Sequence, residues 1–212
     1  MIKAIIFDFG GVLSTLAELE PILKEIAKKA GKDPEPLMKI LYEILEKVEI
    51  NQIPSQILWE NLAKYLELDS QYLRTKIIDS GKIRTEVIEL VKNLKKHYKT
   101  GLLSNQIEDW LEEIIRKYEL DKIFDAIVTS YGSKKAKPDP AIYEEVAKKL
   151  GVKVSECIFI DDWEKYVLSA EKLGMKTILF KNIEQLKKDL KRLGISSKPS
   201  NSSLWKLHAG PC

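Results

Sequence analysis

The chain is poor in cysteine, with only Cys157 and Cys212 in 212 residues. One stands inside an apolar run and the other at the far end, so a disulfide framework is not the basis of the fold. A reducing, cytoplasmic setting is expected. Long apolar runs are also missing. No stretch approaches the roughly 20 apolar residues of a membrane span, and no membrane partner is expected. The opening MIKAIIFDFG has one lysine and an apolar run too short for a signal peptide. Nor does one sign of charge dominate: 35 Lys and Arg against 32 Asp and Glu leave a net of +3. Lysine and glutamate alternate along helix faces as solvated surface. With no basic stripe interleaved with aromatics, nucleic acid is not expected as a partner.

What remains is the balance of a globular protein, 44% hydrophobic and 32% charged, large enough for one domain or a domain with an insert. KAIIF (3–7) is a continuous apolar run ending in a turn, as suits a central parallel strand buried on both faces. TGLLSN (100–105), AIVTS (126–130), CIFIDD (157–162) and KTILF (176–180) read alike. Helical patterns lie between the later runs, at 107–118 and 139–150. Strands alternating with helices predict an α/β fold, a Rossmann-like parallel sheet with right-handed crossovers.

The first crossover breaks that rhythm. About eighty residues separate the first two strand runs, and their apolar positions follow helical spacing: Leu19 to Ala30, Leu37 to Val48, Leu58 to Leu66 and Tyr72 to Ile78. Residues 84–97 supply the crossover helix. The rest predicts an inserted α-helical cap able to bury a core of its own. The expected division is a catalytic core of 1–14 and 83–193, a helical cap of 15–82, and a disordered tail of 194–212 rich in Ser, Pro, Asn and Gly. An insert rooted after the first strand lies above the carboxyl ends of the strands, where open α/β sheets bind ligands.

The strand ends carry the chemistry. Asp8 follows the first strand and runs into Gly10-Gly11. Ser104-Asn105 end the second, Lys137 follows the third, and Asp161-Asp162 end the fourth. Singly, each has an ordinary explanation as a turn residue, a helix cap or a solvated lysine. Together, in a parallel sheet, they meet at one edge as three carboxylates, a hydroxyl and an ammonium. Asp8 can attack phosphorus and form an aspartyl-phosphate. Asp161 and Asp162 would repel it without a cation, and Mg²⁺ suits hard oxygen ligands. Its expected ligands are Asp8, Asp162 and the carbonyl of Gly10, with Asp161 as a further ligand or as the group that orients one. Lys137 neutralises nucleophile and phosphoryl oxygen. Ser104 and the N–H groups around Gly10, Gly11 and Asn105 bind the remaining oxygens.

FDFGGVLS (7–14), LLSNQ (102–106), KAKPDPAIYEEVAKKLGV (135–152) and CIFIDDWEKYVLSAEKLGM (157–175) resemble the four motifs of the haloacid dehalogenase-like hydrolases. The helical insert resembles their type 1 cap. The resemblance covers about residues 2–180. It implies Asp8 as nucleophile, Ser104 as the phosphate-binding hydroxyl, Lys137 as the motif-three lysine and Asp161-Asp162 as the motif-four acidic pair. It also implies Mg²⁺ and a small phosphorylated metabolite as substrate. Two positions depart from the pattern. Gly10 stands where a second acid is usual, which removes the general acid for the leaving oxygen, a loss of roughly 10²–10⁴-fold. Cleavage is then expected to favour good leaving groups unless another group, sought first in the cap, donates the proton. Tyr166 replaces the usual Asn or Asp of the motif-four helix. Beside a phosphohydrolase, two readings stay open: a dehalogenase using Asp8, and a non-catalytic relative. Substrate choice is expected to lie in the cap. Tyr42, Trp59 and Tyr65 read as bundle core there, and Trp163 as packing.

Overall fold

The computed structural model describes residues 1–16 and 18–195. Five strands form one parallel sheet: β1 (Ala4–Phe7), β2 (Lys99–Ser104), β3 (Ala126–Thr129), β4 (Cys157–Asp161) and β5 (Lys176–Leu179), in the order β3-β2-β1-β4-β5. This is the α/β sheet expected from the apolar runs. Side chains alternate across it. Ile5, Phe7, Leu102, Ile158 and Ile160 join the core on one face. Ala4, Ile6, Leu103, Cys157 and Phe159 join the core on the other. Both faces are covered, so the strands read as unbroken hydrophobic runs.

Five helices lie between β1 and β2: α1 (Glu20–Lys29), α2 (Pro34–Glu49), α3 (Ser55–Leu66), α4 (Ser70–Ser80) and the crossover helix α5 (Thr85–Leu94). Local chemistry sets their ends. Pro34 opens α2, and the Asp33 carboxylate accepts from the Glu35 N–H at 3.1 Å. Asp69 caps α4 by accepting from the Tyr72 N–H at 2.7 Å. After β2 come α6 (Glu108–Tyr118), the one-turn α7 (Leu120–Ile123) and α8 (Ser130–Ser133), then α9 (Pro140–Lys149), α10 (Glu164–Lys172) and α11 (Ile183–Arg192). No helix among the described residues is long and apolar enough to cross a membrane.

The apolar face of α1–α4 is not sealed from the sheet. Leu23, Leu37, Leu41, Leu58, Leu62 and Leu73 belong to the same buried cluster as Phe7 and Ile160, together with Phe9, Leu13 and Leu16 of the connecting segment. The expected private core of the insert is thus continuous with the main one. The two connections to the insert run side by side. Ser14 pairs antiparallel with Ile83, and the N–H groups of Thr15 and Arg84 donate to the carbonyls of Lys82 and Leu13, each at 2.8 Å.

The far end is also held. Arg74 of α4 donates to Asp109 of α6 at 2.7 Å and to Glu113 at 3.0 Å, and Asn51 just past α2 donates to Glu108 at 3.0 Å.

The tail expectation needs moving by two residues. Gly194, at φ +79°, and Ile195 close α11, the Ile195 N–H donating to the Leu190 carbonyl at 2.9 Å while its side chain is buried. The rest of the expected tail, 196–212, with Cys212, lies outside the described residues.

The acidic partners of Arg74 are half exposed, so its ion pairs are worth only roughly 1 kcal/mol. Arg74→Ala is expected to lower stability by about that amount and to speed hydrogen exchange along α4 and α6, leaving β1 and β4 as protected as before. Exchange mass spectrometry checks this.

Candidate active site

Chain order places the site at a switch point. The chain steps from β1 to β2 and β3 on one side, then returns to β4 and β5 on the other, which leaves a crevice beyond the carboxyl ends of β1 and β4. Phe7 is in register with Ile160, and the Asp8 N–H donates to the Ile160 carbonyl at 2.9 Å. Asp8 therefore leaves β1 beside the point where Asp161 ends β4. Asp8, Asp161 and Asp162 offer carboxylate oxygens within 4.8 Å of one another.

Lys137 lies among them. Its Nζ is 2.9 Å from Asp8 Oδ1 and 2.6 Å from Asp161 Oδ2. It is only 3% exposed, which removes the solvated-lysine explanation. Asn105 holds it from behind. The Asn105 amide donates to the Lys137 carbonyl at 2.9 Å and accepts from the Lys137 N–H at 2.8 Å. Asp161 is fully committed, since its second oxygen accepts from the Trp163 N–H at 2.8 Å. Asp8 is not. Its Oδ1 is buried and in ion-pair range of Lys137, yet accepts no well-aligned hydrogen bond among the described residues.

Glycine matters at one of the two predicted positions. Gly11 has φ +68°, and an added Cβ would sit 1.9 Å from Asp162 Oδ2. The Asp162 carboxylate fills the space a side chain at 11 would need. Gly10, at φ −62° and ψ 137°, adopts backbone angles open to any residue, so the missing acid there is not a backbone requirement. Ser104 has no exposed surface, and its hydroxyl finds only the Asn105 carbonyl, at 3.5 Å.

Tyr166 gives the lysine a different support from the usual polar residue. Its ring centroid is 4.8 Å from Lys137 Nζ, and the Phe159 ring is 5.5 Å away on the same cation. Trp163 stacks on Tyr166 at 5.6 Å. Trp163 is 41% exposed and Tyr42 59%. Both line the cavity, which corrects their assignment to packing and bundle core. Trp59 is buried as expected, and Tyr65 donates to the Asp33 carbonyl.

The cavity above Asp8 measures about 250 Å³. The sheet edge supplies Asp8, Gly10, Asn105, Lys137 and Asp162. The insert supplies Leu41, Tyr42, Leu45 and Glu49, while Trp110 comes from α6. Sequence reasoning missed Glu49. Its signal was a carboxylate eight residues after Leu41 and four after Leu45, on a stripe otherwise apolar.

Burial raises Asp8 to about 7, against the pull of Lys137 and with the charge of Asp161 adding. Burial likewise raises Asp162 to about 6, helped by Asp161. Burial alone would lower Lys137, but Asp8 and Asp161 outweigh it and hold its pKa above the ordinary value. The site is thus a pocket where Asp8 and Asp162 resist ionisation despite the nearby ammonium.

A profile of the haloacid dehalogenase-like hydrolases matches residues 2–174. The chain belongs to this family and is a hydrolase. A phosphatase-named protein of Bacillus subtilis, YhcW, is 30% identical over 190 residues, covering 86% of this chain and 84% of that one. A phosphorylated carbohydrates phosphatase of Thermotoga maritima is 27% identical over 187 residues, 83% of each. A HAD family enzyme of Bacteroides thetaiotaomicron, crystallised with magnesium and inorganic phosphate, superposes with a TM-score of 0.74 at 25% identity. That match covers 85% of this chain and 95% of that one.

The raised carboxyls set a pH dependence. A group whose pKa rises on folding contributes stability below its unfolded pKa and loses it as pH climbs to the folded value. In chelator, the contribution of Asp8 is expected to fade from its ordinary 3.8 up to about 7. The melting advantage of the wild type over Asp8→Asn should therefore shrink across that range. Added Mg²⁺ should raise the melting temperature more at about pH 8 than at about pH 5. Calorimetry of both proteins checks the two slopes.

Proposed function

We propose that the chain is a magnesium-dependent phosphohydrolase that moves the phosphoryl group of a small phosphorylated metabolite to Asp8 and then to water. The observation that carries this reading is the cluster of buried Asp8 and Asp161, both paired with Lys137, and half-buried Asp162, with Asp8 Oδ1 lacking an aligned hydrogen bond. Hard oxygens at this spacing suit Mg²⁺. Asp8, Asp162 and the carbonyl of Gly10 would hold it. Asp161, whose oxygens already accept from Lys137 and Trp163, instead positions the lysine. When bound, the cation supplies charge that lets the acids ionise together and draws electron density from the phosphoryl oxygens.

The remaining steps belong to side chains. Lys137 neutralises Asp8 and a phosphoryl oxygen, so that one anion can approach another. The Ser104 hydroxyl and the N–H groups of Gly10, Gly11 and Asn105 take the other oxygens. An Asp8 oxygen bonds to phosphorus as the bond to the leaving oxygen breaks. Water then attacks phosphorus and frees Asp8.

Helices α1–α4 act as a cap that shapes the substrate. Lys137 is the one cation among the described residues lining the cavity, while Glu18, Glu20 and Glu49 line its upper part. The alcohol part of the substrate therefore carries no negative charge and packs against Leu41, Tyr42 and Trp163. The same acidity disfavours a haloacid, whose carboxylate would meet carboxylates.

A panel of phosphorylated metabolites is expected to show hydrolysis that ceases in EDTA and returns with Mg²⁺. Asp8→Asn should lower turnover by at least about 10³-fold with an unchanged fold. Full activity in EDTA, or a competent Asp8→Asn protein, contradicts the reading.

A further inference from the structure

Gly10 leaves the leaving oxygen without an acid on its own strand end, and the cavity has a carboxyl on the opposite wall. Glu49 is the last residue of α2. With Leu41, Tyr42 and Leu45 it lines the same cavity as Asp8, Gly10 and Lys137. It is partly buried, and no described residue hydrogen-bonds or ion-pairs with its carboxyl.

The other acids of that wall are placed differently. Glu20 is tied to Lys24 and Tyr42, which hold it below the ordinary carboxylate range. Glu18 is exposed. Asp8 and Asp161 pair with Lys137, and the Asp162 carboxylate fills the space above Gly11.

We propose that Glu49 is the general acid of the reaction, a carboxyl supplied by the cap in place of the one absent at position 10. This rests on the phosphohydrolase reading. As Asp8 bonds to phosphorus, the P–O bond to the alcohol breaks and its oxygen takes the Glu49 proton. The Glu49 carboxylate then takes a proton from the attacking water. The P–O bond to Asp8 breaks, phosphate leaves, and both carboxyls return to their starting states.

Several features keep Glu49 protonated at the start. Burial lifts its pKa to about 7, against Lys137 and with Glu46 adding. A helix C-terminus is a poor place for a carboxylate, because the last carbonyls of α2 point there. The phenol of Tyr166 and the acids Glu18, Glu20, Asp8 and Asp162 share the same cavity. Lys137 is the sole cation among its described lining residues. The end of α2 is fixed in place by the bond from Asn51 to Glu108.

The test compares wild type and the isosteric Glu49→Gln on aryl phosphates, whose alcohols leave readily, and on alkyl phosphates, whose alcohols need a proton. Glu49→Gln is expected to cut kcat/KM for alkyl phosphates by about 10²-fold and for aryl phosphates far less. The alkaline limb of the wild-type alkyl phosphate profile should disappear in the variant. Equal losses on both substrate classes, or no loss, overturn the proposal while leaving the phosphohydrolase reading intact. So does a selective loss of alkyl phosphates in Tyr166→Phe with Glu49→Gln unaffected. A wild type that hydrolyses neither class in Mg²⁺ overturns both.

Discussion

A single buried ammonium between two carboxylates organises this molecule. Lys137 Nζ bridges Asp8 and Asp161 at a depth where an unpaired charge would cost several kcal/mol. Everything nearby serves that arrangement. The paired bonds of Asn105 fix the lysine backbone. The rings of Tyr166 and Phe159 flank its charge without adding a further anion. Asp162, left without a share of the lysine, takes the space above Gly11, which is why that position has no side chain. Three acids beside one ammonium are the arrangement on which the proposed divalent cation rests.

The same acidity reaches the cavity walls. An upper wall built from Glu18, Glu20 and Glu49 beside aromatic rings can accept a phosphoryl group only at the floor, where Lys137 and the backbone N–H groups are. In the proposed reaction, phosphate recognition falls to the sheet edge and alcohol recognition to the insert. The paired connections at Ser14 and Ile83, and the Arg74 ion pairs at the far end, keep the two in contact.

The strands were legible because both faces of the sheet are covered, which turns KAIIF and CIFID into unbroken apolar runs. Chain order at the strand ends then brought Asp8, Lys137, Asp161 and Asp162 into view. Side-chain direction was not legible. Tyr42 and Leu41 are neighbours on α2 and both line the cavity, yet Tyr42 is 59% exposed and Leu41 is buried. Periodicity marks a helix face but not which neighbour it meets. Trp163 escaped for the same reason, because its exposure follows from the turn that Asp161 makes with the Trp163 N–H. Glu49 was hidden among the many surface glutamates of a charged chain. Only its place in the cavity lining distinguishes it. Gly194 and Ile195 looked like tail because their hydrogen bonds reach back into α11.

Asp8 is the residue proposed to take the phosphoryl group. The most direct measurement is to quench turnover of a phosphorylated substrate in acid, reduce any acyl-phosphate with tritiated borohydride, which releases the phosphate and leaves tritium on the reduced side chain, and map the modified residue by peptide mass spectrometry. The label is predicted on Asp8 alone, and to be lost in Asp8→Asn. Label on any other residue, or turnover with no trapped acyl-phosphate under conditions where breakdown of the intermediate limits the rate, would contradict it.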